Sequence, residues 1–533
     1  MPVSTQLLVG ARIYSSHAPD ATSMAVTDGI VSWVGDERAA RALHPGADVV
    51  DLDGAFVAPA FVDTHVHITA LGLNIVGLDL VGVGSLRECL DRLSSFAHLH
   101  RDAIIWGHGW DETTWPEGVP PTTSQLDEAA PGRAVYLSRV DAHSAVCSTA
   151  LRQSIASLPD AAGYSPEGPL TVEAHHAART EARSLLTTRQ RSAARAAALD
   201  AIASRGVVAV HECGGPDISG LDDFRELLAT SHGVEVRGYW GEAVADADEA
   251  RHLLQSTGAH ALGGDLFIDG SVGSHTAWLG EPYADQSGST GKSYLGVAEI
   301  ADHIRACTVA GIQSGFHVIG DAAVAAALDA FALVVDELGG PAVAALGHRL
   351  EHAEMMSDRD VARMASWGVI ASVQPVFDAL WGGTEGLYAR RLGAERALTL
   401  NPFAKAASGG VPLAFGSDAP VTPVEPWAML RAAVHHRAPA SGISPRAAFS
   451  AATKGAWRAG GVRDGVAGTL NPGAPASYAV WDVGELVVDA PKDSVQRWST
   501  DPRSRVPALP RLDDAPAPVL LRSVHRGSVV YER

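Results

Sequence analysis

The chain has 533 residues, of which 46% are hydrophobic and 19% charged, and its formal net charge is −20 at pH 7. That length is too great for a single compact core and predicts one large domain plus a smaller one. The acidic balance argues against a nucleic-acid or anionic-membrane partner, because both need a basic surface.

The N-terminal stretch "MPVSTQLLVGARIY" has no basic region followed by a long apolar segment, so no signal peptide is predicted. No apolar run approaches the ~20 residues of a membrane helix. The four cysteines (Cys89, Cys147, Cys213 and Cys307) lie far apart with no C-x-x-C pair, which excludes a disulfide framework or a structural zinc knot. Reduced thiols in a cytoplasmic protein are the expectation. The first ~60 residues alternate as strands, "QLLVGARIY" and "MAVTDGIVSWVGD", with a hairpin signal at Asp28-Gly29. "ASYAVWDV" and "HRGSVVYER" at the far end are similar, so both termini are expected to form one small β-domain, a sandwich of residues 1–57 and 466–533.

Between them, strand-like runs alternate with alanine-rich helical segments. "GAFVAPAFVDTHVH" is followed by "GVVAVHEC", "VEVRGYWG", "DLFIDGS", "GIQSGFHVIGD", "ALGHRLEHAE", "GVIASVQPVF" and "VPLAFGSDAPV". Eight β units with mostly helical connections predict an α/β fold, a (β/α)₈ barrel over residues 58–465. An open doubly wound sheet is disfavoured, because no Gly-rich dinucleotide turn follows a strand. Residues 73–205 break the repeat and read as an insertion, either a cap over the barrel mouth or plain scaffold.

Side chains at i and i+2 of a strand share a face, so His65 and His67 project together. Alone, such a pair is often structural. Active sites of this barrel lie at the C-terminal strand ends, where His317, His352 and Asp418 also fall. Strands 1 and 8 become neighbours on closure, which brings Asp418 beside the His pair across about 350 residues. Neutral imidazoles with a carboxylate suit zinc or a similar divalent ion. A cation with an open position activates water, and Asp418 is placed to take its proton and pass it to a leaving nitrogen.

Together, "HVH", His317, His352 and the "GSD" ending in Asp418 resemble the amidohydrolase superfamily over essentially the whole chain. "GHGWDETTWPEG", "LSRVDAH", "DGSVGSHTAWLGEPYAD", "HVIGDAAV", "HRLEHAE" and "FGSDAPV" resemble its amidohydrolase-3-like branch, which includes N-substituted formamide deformylases. The resemblance implies a metal-dependent hydrolase of carbon–nitrogen bonds in small molecules, with one or two divalent ions per chain, Zn²⁺ first among them. Many members carry a lysine at the start of strand 4 that becomes carboxylated and bridges two metals. Here Asp265 stands at that position and cannot form a carbamate, so Asp265, Asp269 or Glu212 is a candidate carboxylate ligand. The alternative is a single metal held by His65, His67, His317 and Asp418, with His352 polarising the substrate carbonyl.

Further pocket candidates are Trp110, Asp111 and Glu112, then Arg139, Asp141 and His143, and Gln374 at the end of strand 7. Asp321 is read either as a carboxylate fixing an imidazole or as a helix cap. His211, His275 and His348 read as structural or surface residues, with His348 pointing to the same side as His352. The function expected is amide or formamide-type hydrolysis. Deamination or cyclic-amide opening on the same site is the alternative, as is a catalytically weak metal-binding protein. A small-molecule substrate and a homodimer are expected, with no nucleic-acid or membrane partner.

Overall fold

The run Phe61–Val66 is buried at every position, as a strand covered on both faces must be. In the computed structural model, which describes residues 5–140, 144–488, 507–513 and 516–533, this is the first of eight parallel strands. They are β1 (Phe61–Val66), β2 (Val207–Gly214), β3 (Glu235–Trp240), β4 (Ala261–Leu262), β5 (Gly315–Val318), β6 (Arg349–His352), β7 (Ile370–Val373) and β8 (Leu413–Phe415). Hydrogen bonding orders them as two four-stranded sheets, β4-β3-β2-β1 and β5-β6-β7-β8. Single parallel bridges join the sheet edges at Leu262–Ser314 and at Val66–Ala419.

Helices follow the strands, among them Leu221–Leu228, Ala247–Thr257, Val297–Ala310, Asp321–Leu338, Asp358–Trp367 and Pro426–Val434. Their limits follow local chemistry. Asp246 accepts hydrogen bonds from the Asp248 and Glu249 amides, Ser357 caps its helix through the Asp360 amide, and Gly258, Gly311 and Gly368 end helices in the left-handed conformation. Phe61 is fully buried among the rings of Trp427, Phe449 and Trp481, a burial worth about 1.5–3 kcal/mol.

"DLFIDGS" is not the fourth strand. The continuous ladder stops at Leu262, because Gly263 and Gly264 take positive φ (156° and 75°) and turn the chain; Asp265 follows that strand's end, and beyond it Phe267 makes a single parallel bridge to His317 of β5. At φ 75°, and with a Cβ there coming to 3.0 Å from Cys213 Cβ and Sγ, Gly264 leaves little room for a side chain.

The termini pair with each other. Tyr478–Asp482 runs antiparallel to Phe56–Pro59 on one side and to Val519–His525 on the other, within a five-stranded sheet. A second sheet orders Ile30–Gly35, Ser23–Thr27, Thr5–Val9 and Asp48–Asp51. Leu8, Met24 and Val31 from one sheet share an apolar cluster with Val57, Val480 and Val524 from the other. Asp28 and Gly29, at φ 48° and 77°, make the hairpin turn.

The chain divides into two compact units, residues 68–199 and the remainder. The former carries its own five-stranded sheet, ordered Leu170–Thr171, Ser144–Cys147, Ala134–Arg139, Ile104–Trp110 and Leu78–Asp79. Its core gathers Leu93, Ile105, Trp110, Leu126, Leu137 and Val146. No helix among the described residues is long and apolar enough to cross a membrane.

Candidate metal centre

At the end of β1, alternation sends Asp63, His65 and His67 to one face. Asp63 Oδ1 accepts from the amides of His65 (3.2 Å) and Ser417 (2.9 Å), and so ties the end of β1 to the turn after β8. The approach needs a glycine, since a Cβ on Gly416 would stand 2.6 Å from the His65 nitrogen. Burial pushes the Asp63 carboxyl up to about 6, against those same hydrogen bonds.

Asp418 then reaches the histidine pair, its Oδ1 lying 3.2 Å from His67 Nε2 and 3.6 Å from His65 Nε2. Asp265 enters from the loop after β4. Its Oδ2 is 3.3 Å from His67 Nε2, while its Oδ1 is 3.4 Å from His65 Nε2, 3.5 Å from His317 Nδ1 and 4.0 Å from His352 Nε2. All four imidazoles therefore face one carboxylate. Burial alone would push Asp265 and Asp418 up, but the neighbouring imidazoles hold both below the ordinary carboxylate range. Burial, with His317 and His65 nearby, pulls His352 down to about 3, which keeps it neutral.

His352 is re-aimed by its backbone. Arg349 and Glu351 point inward, where Arg349 meets His211 and Glu351 meets His65, so strict alternation would turn His352 outward. A φ of 66° returns its ring to the site. Its Nδ1 then meets Gln374 Oε1 at 2.7 Å, which leaves Nε2 facing the cluster.

The residues present fit a cation. His65 Nε2, His352 Nε2 and Asp265 Oδ1 are buried without a hydrogen-bond partner, and orphaned buried polar atoms are costly unless something absent satisfies them. Among the described residues four groups of donors lie close enough to share an ion: His65 with His67 and Asp265, His317 with His352 and Asp265, His65 with His352 and Asp418, and, through the other nitrogen of His65, His65 with Cys213 and Glu351. Asp418 Oδ1 lies 3.2 and 3.6 Å from the Nε2 atoms of His67 and His65, and the two oxygens of Asp265 lie 3.3 and 3.4 Å from them, separations of the size expected between donors that share one ion with ~2.0–2.2 Å bonds.

Other sequence candidates are placed elsewhere. Asp269 accepts from the amides of Trp278, Ile319 and Gly320, so it buttresses the turn after β5. Glu212 lies between inward-facing His211 and Cys213, and alternation sends it to the opposite face; among the described residues neither it nor Asp269 joins a metal-ligand group. Asp321 Oδ1 accepts from the Gly280 and Ala322 amides, and the helix it opens is capped by Gly320. His348 does not share the side of His352: its nitrogens meet Ser314 and Thr308 of the helical layer, because residues 348 and 350 alternate outward. His275 pairs with Asp285. In the 68–199 unit, Trp110 is a buried strand residue donating to the Leu137 carbonyl, and Arg139 pairs with Asp111 and Glu112. Asp141 and His143 lie outside the described residues.

The sequence reading missed the Arg349–Glu351 pair, both wholly buried. Its signal was present, since R-x-E inside a strand puts two opposite charges on one face.

Residues 48–531 match the model of the amidohydrolase family. The chain belongs to the amidohydrolase family. Protein LONG AFTER FAR-RED 3 of Arabidopsis thaliana is 28% identical to this amidohydrolase, over 90% of this chain and 88% of its own. The N-substituted formamide deformylase of Arthrobacter pascens is 23% identical, over 80% and 83% of the two chains. A crystal structure of an uncharacterized metal-dependent hydrolase from Pyrococcus furiosus superposes with a TM-score of 0.74 at 26% identity, covering 89% of this chain and 98% of that one. Family membership and this donor set make the protein a metal-dependent hydrolase that takes a divalent cation.

Proposed function

We propose that this amidohydrolase cleaves a carbon–nitrogen bond of a small molecule, an amide or formamide-type linkage, in the cytoplasm. The observation that carries the reading is the convergence of His65, His67, His317, His352, Asp265 and Asp418, with three orphaned donor atoms directed at one another. The reading takes the eight parallel strands as a (β/α)₈ barrel over residues 58–465, and their order in the two sheets supports it. The parallel bridges Leu262–Ser314 and Val66–Ala419 sit at the two seams where the sheets would close. The two-sheet core shared by residues 1–57 and 466–533 supports a small β-sandwich domain.

One cation, Zn²⁺ being suited to a mixed imidazole and carboxylate set, would be held by His65, His67, Asp265 and Asp418, with His317 and His352 flanking Asp265. When bound, it supplies Lewis acidity and an activated water nucleophile. Asp265 stands in for the bridging lysine of other members, so the site needs no carbamate. Asp418, ionised and beside the histidine pair, accepts the water's proton and delivers it to the leaving nitrogen. His352 is not set to donate to the substrate carbonyl. Its Nδ1–H is given to Gln374, and the nitrogen that faces the site carries a lone pair. Gln374 is thereby assigned to orienting His352. The deformylase among the relatives supports a formamide-type substrate.

The test is turnover of a panel of small amides and formamides by zinc- or manganese-loaded protein. Wild type hydrolyses at least one, and Asp418→Asn loses about 10²–10⁴-fold in kcat while retaining its fold. A metal-loaded wild type that is inert across amides, cyclic amides and aminated heterocycles sinks the reading.

A further inference from the structure

Behind the proposed cation site lies a chain of charges that reaches it through His65. His65 Nδ1 is 3.0 Å from Glu351 Oε2, and the carboxylate can only accept, so Nδ1 carries the proton. Glu351 in turn receives both Nε (2.8 Å) and Nη2 (2.8 Å) of Arg349. Nη1 of Arg349 meets His211 Nδ1 at 2.8 Å, and Nη2 is also within reach of the Thr64 carbonyl at 2.7 Å and Ser372 Oγ at 3.1 Å. Its guanidinium also lies over the Tyr239 ring, 4.3 Å from the centroid. His65, Arg349 and Glu351 are all fully buried. The Cys213 thiol is also near Nδ1, at 3.4 Å.

A purely structural ion pair would need only Arg349 and Glu351, bridging strands β1, β6 and β7. Here the pair is extended by one link. Glu351 Oε2 receives both the guanidinium and an imidazole, and that imidazole's other nitrogen is the orphaned Nε2 aimed at Asp265 and Asp418. A ring nitrogen proton given to a carboxylate fixes the tautomer, stops ring rotation and raises the basicity of the opposite nitrogen. Arg349 keeps that carboxylate oriented and charged in a dry environment.

We infer that Glu351 is a positioning residue for the divalent cation, presenting His65 through Nε2, and that Arg349 is the counter-ion that holds Glu351 in place. The inference rests on the cation site proposed above. It predicts that metal affinity depends on a carboxylate that never touches the metal.

The experiment is zinc titration by chelator competition on wild type, on Glu351→Gln, and on the double variant Arg349→Met/Glu351→Leu. The double variant removes both buried charges together, so no unpaired ion is left to unfold the chain. Apo-protein melting curves confirm folding. Both folded variants are expected to bind zinc about 10–100-fold more weakly than wild type. A folded variant that binds within threefold of wild type overturns the inference. A second readout uses wild type alone: in ¹⁵N-histidine NMR of the zinc-loaded protein, His65, assigned by the signal lost in His65→Asn, shows a protonated Nδ1 and a coordinated Nε2. A coordinated or unprotonated Nδ1 overturns it. A wild type that takes up no zinc removes the underlying site, and that failure is distinct from zinc bound equally by all three proteins.

Discussion

Two sets of buried histidines separate the parts of this molecule that do chemistry from the parts that hold it together. At the strand ends, His65 and His352 each have one nitrogen engaged, by Glu351 and by Gln374, and the other buried without a partner. In the layer between sheet and helices, His303 and His348 are equally buried but fully engaged. His303 Nδ1 accepts from the Val244 amide, and its Nε2 faces the Leu262 carbonyl. His348 Nδ1 accepts from the Ser314 amide, and its Nε2 meets Thr308 Oγ1. Burial alone says nothing about function here. An unsatisfied nitrogen points to a ligand only where other donors converge on it, as Asp265 and Asp418 do on His65 Nε2; His211 Nε2 is equally buried and unpaired, yet it belongs to no group of metal donors among the described residues.

Asp265→Ala gives the sharpest break in that comparison. It removes the one carboxylate facing all four site imidazoles, and metal affinity is expected to fall by more than the ~10–100-fold that follows loss of an outer partner. Chelator competition checks this, and the melting temperature of the apo-protein should not fall in parallel. Affinity unchanged in this variant would remove Asp265 from the ligand set.

Acid exposes the other histidine set. Burial pulls His303 down to about 4, and burial with His303 and Arg463 pulls His348 down to about 3. The unfolded chain binds these protons near pH 6.5, so below that pH it is favoured over a native state that refuses them. Stability is flat from these groups above about 6.5. It falls by about 1.4 kcal/mol per histidine for each pH unit below, until the folded values are reached. Urea unfolding of metal-free protein at pH 7 and pH 5 measures it, and equal midpoints would show that neither ring is held neutral.

His348→Leu carries the smallest effect. It leaves the buried Ser314 amide without its acceptor and costs about 1–3 kcal/mol of stability. Metal content per folded chain stays at the wild-type value. A variant that loses metal would place His348 in the site rather than in the scaffold.

Much of this was readable before the fold was known. His65 and His67 declare themselves by period 2 at the end of an apolar strand, and His317, His352 and Asp418 by their place at or just past the ends of later strands. What was not readable depends on backbone detail. Alternation fails at His352 because its φ is positive, so counting back from it in steps of two puts His348 on the wrong side. The Gly263–Gly264 turn moved Asp265 from a strand's start to the far side of its end. Trp110, aromatic and beside acidic residues, looked like a pocket residue, but its indole is used inside its own unit. The pairing of Tyr478 with Pro59 joins segments some 420 residues apart, and local sequence cannot set such a register.

Metal analysis of purified protein, dialysed against buffered zinc and then desalted, tests the central claim most directly. The account predicts one tightly held equivalent per chain in wild type and none in a His65→Ala/His67→Ala variant that still folds. Wild type emerging without stoichiometric metal, or the double variant keeping it, would contradict the account.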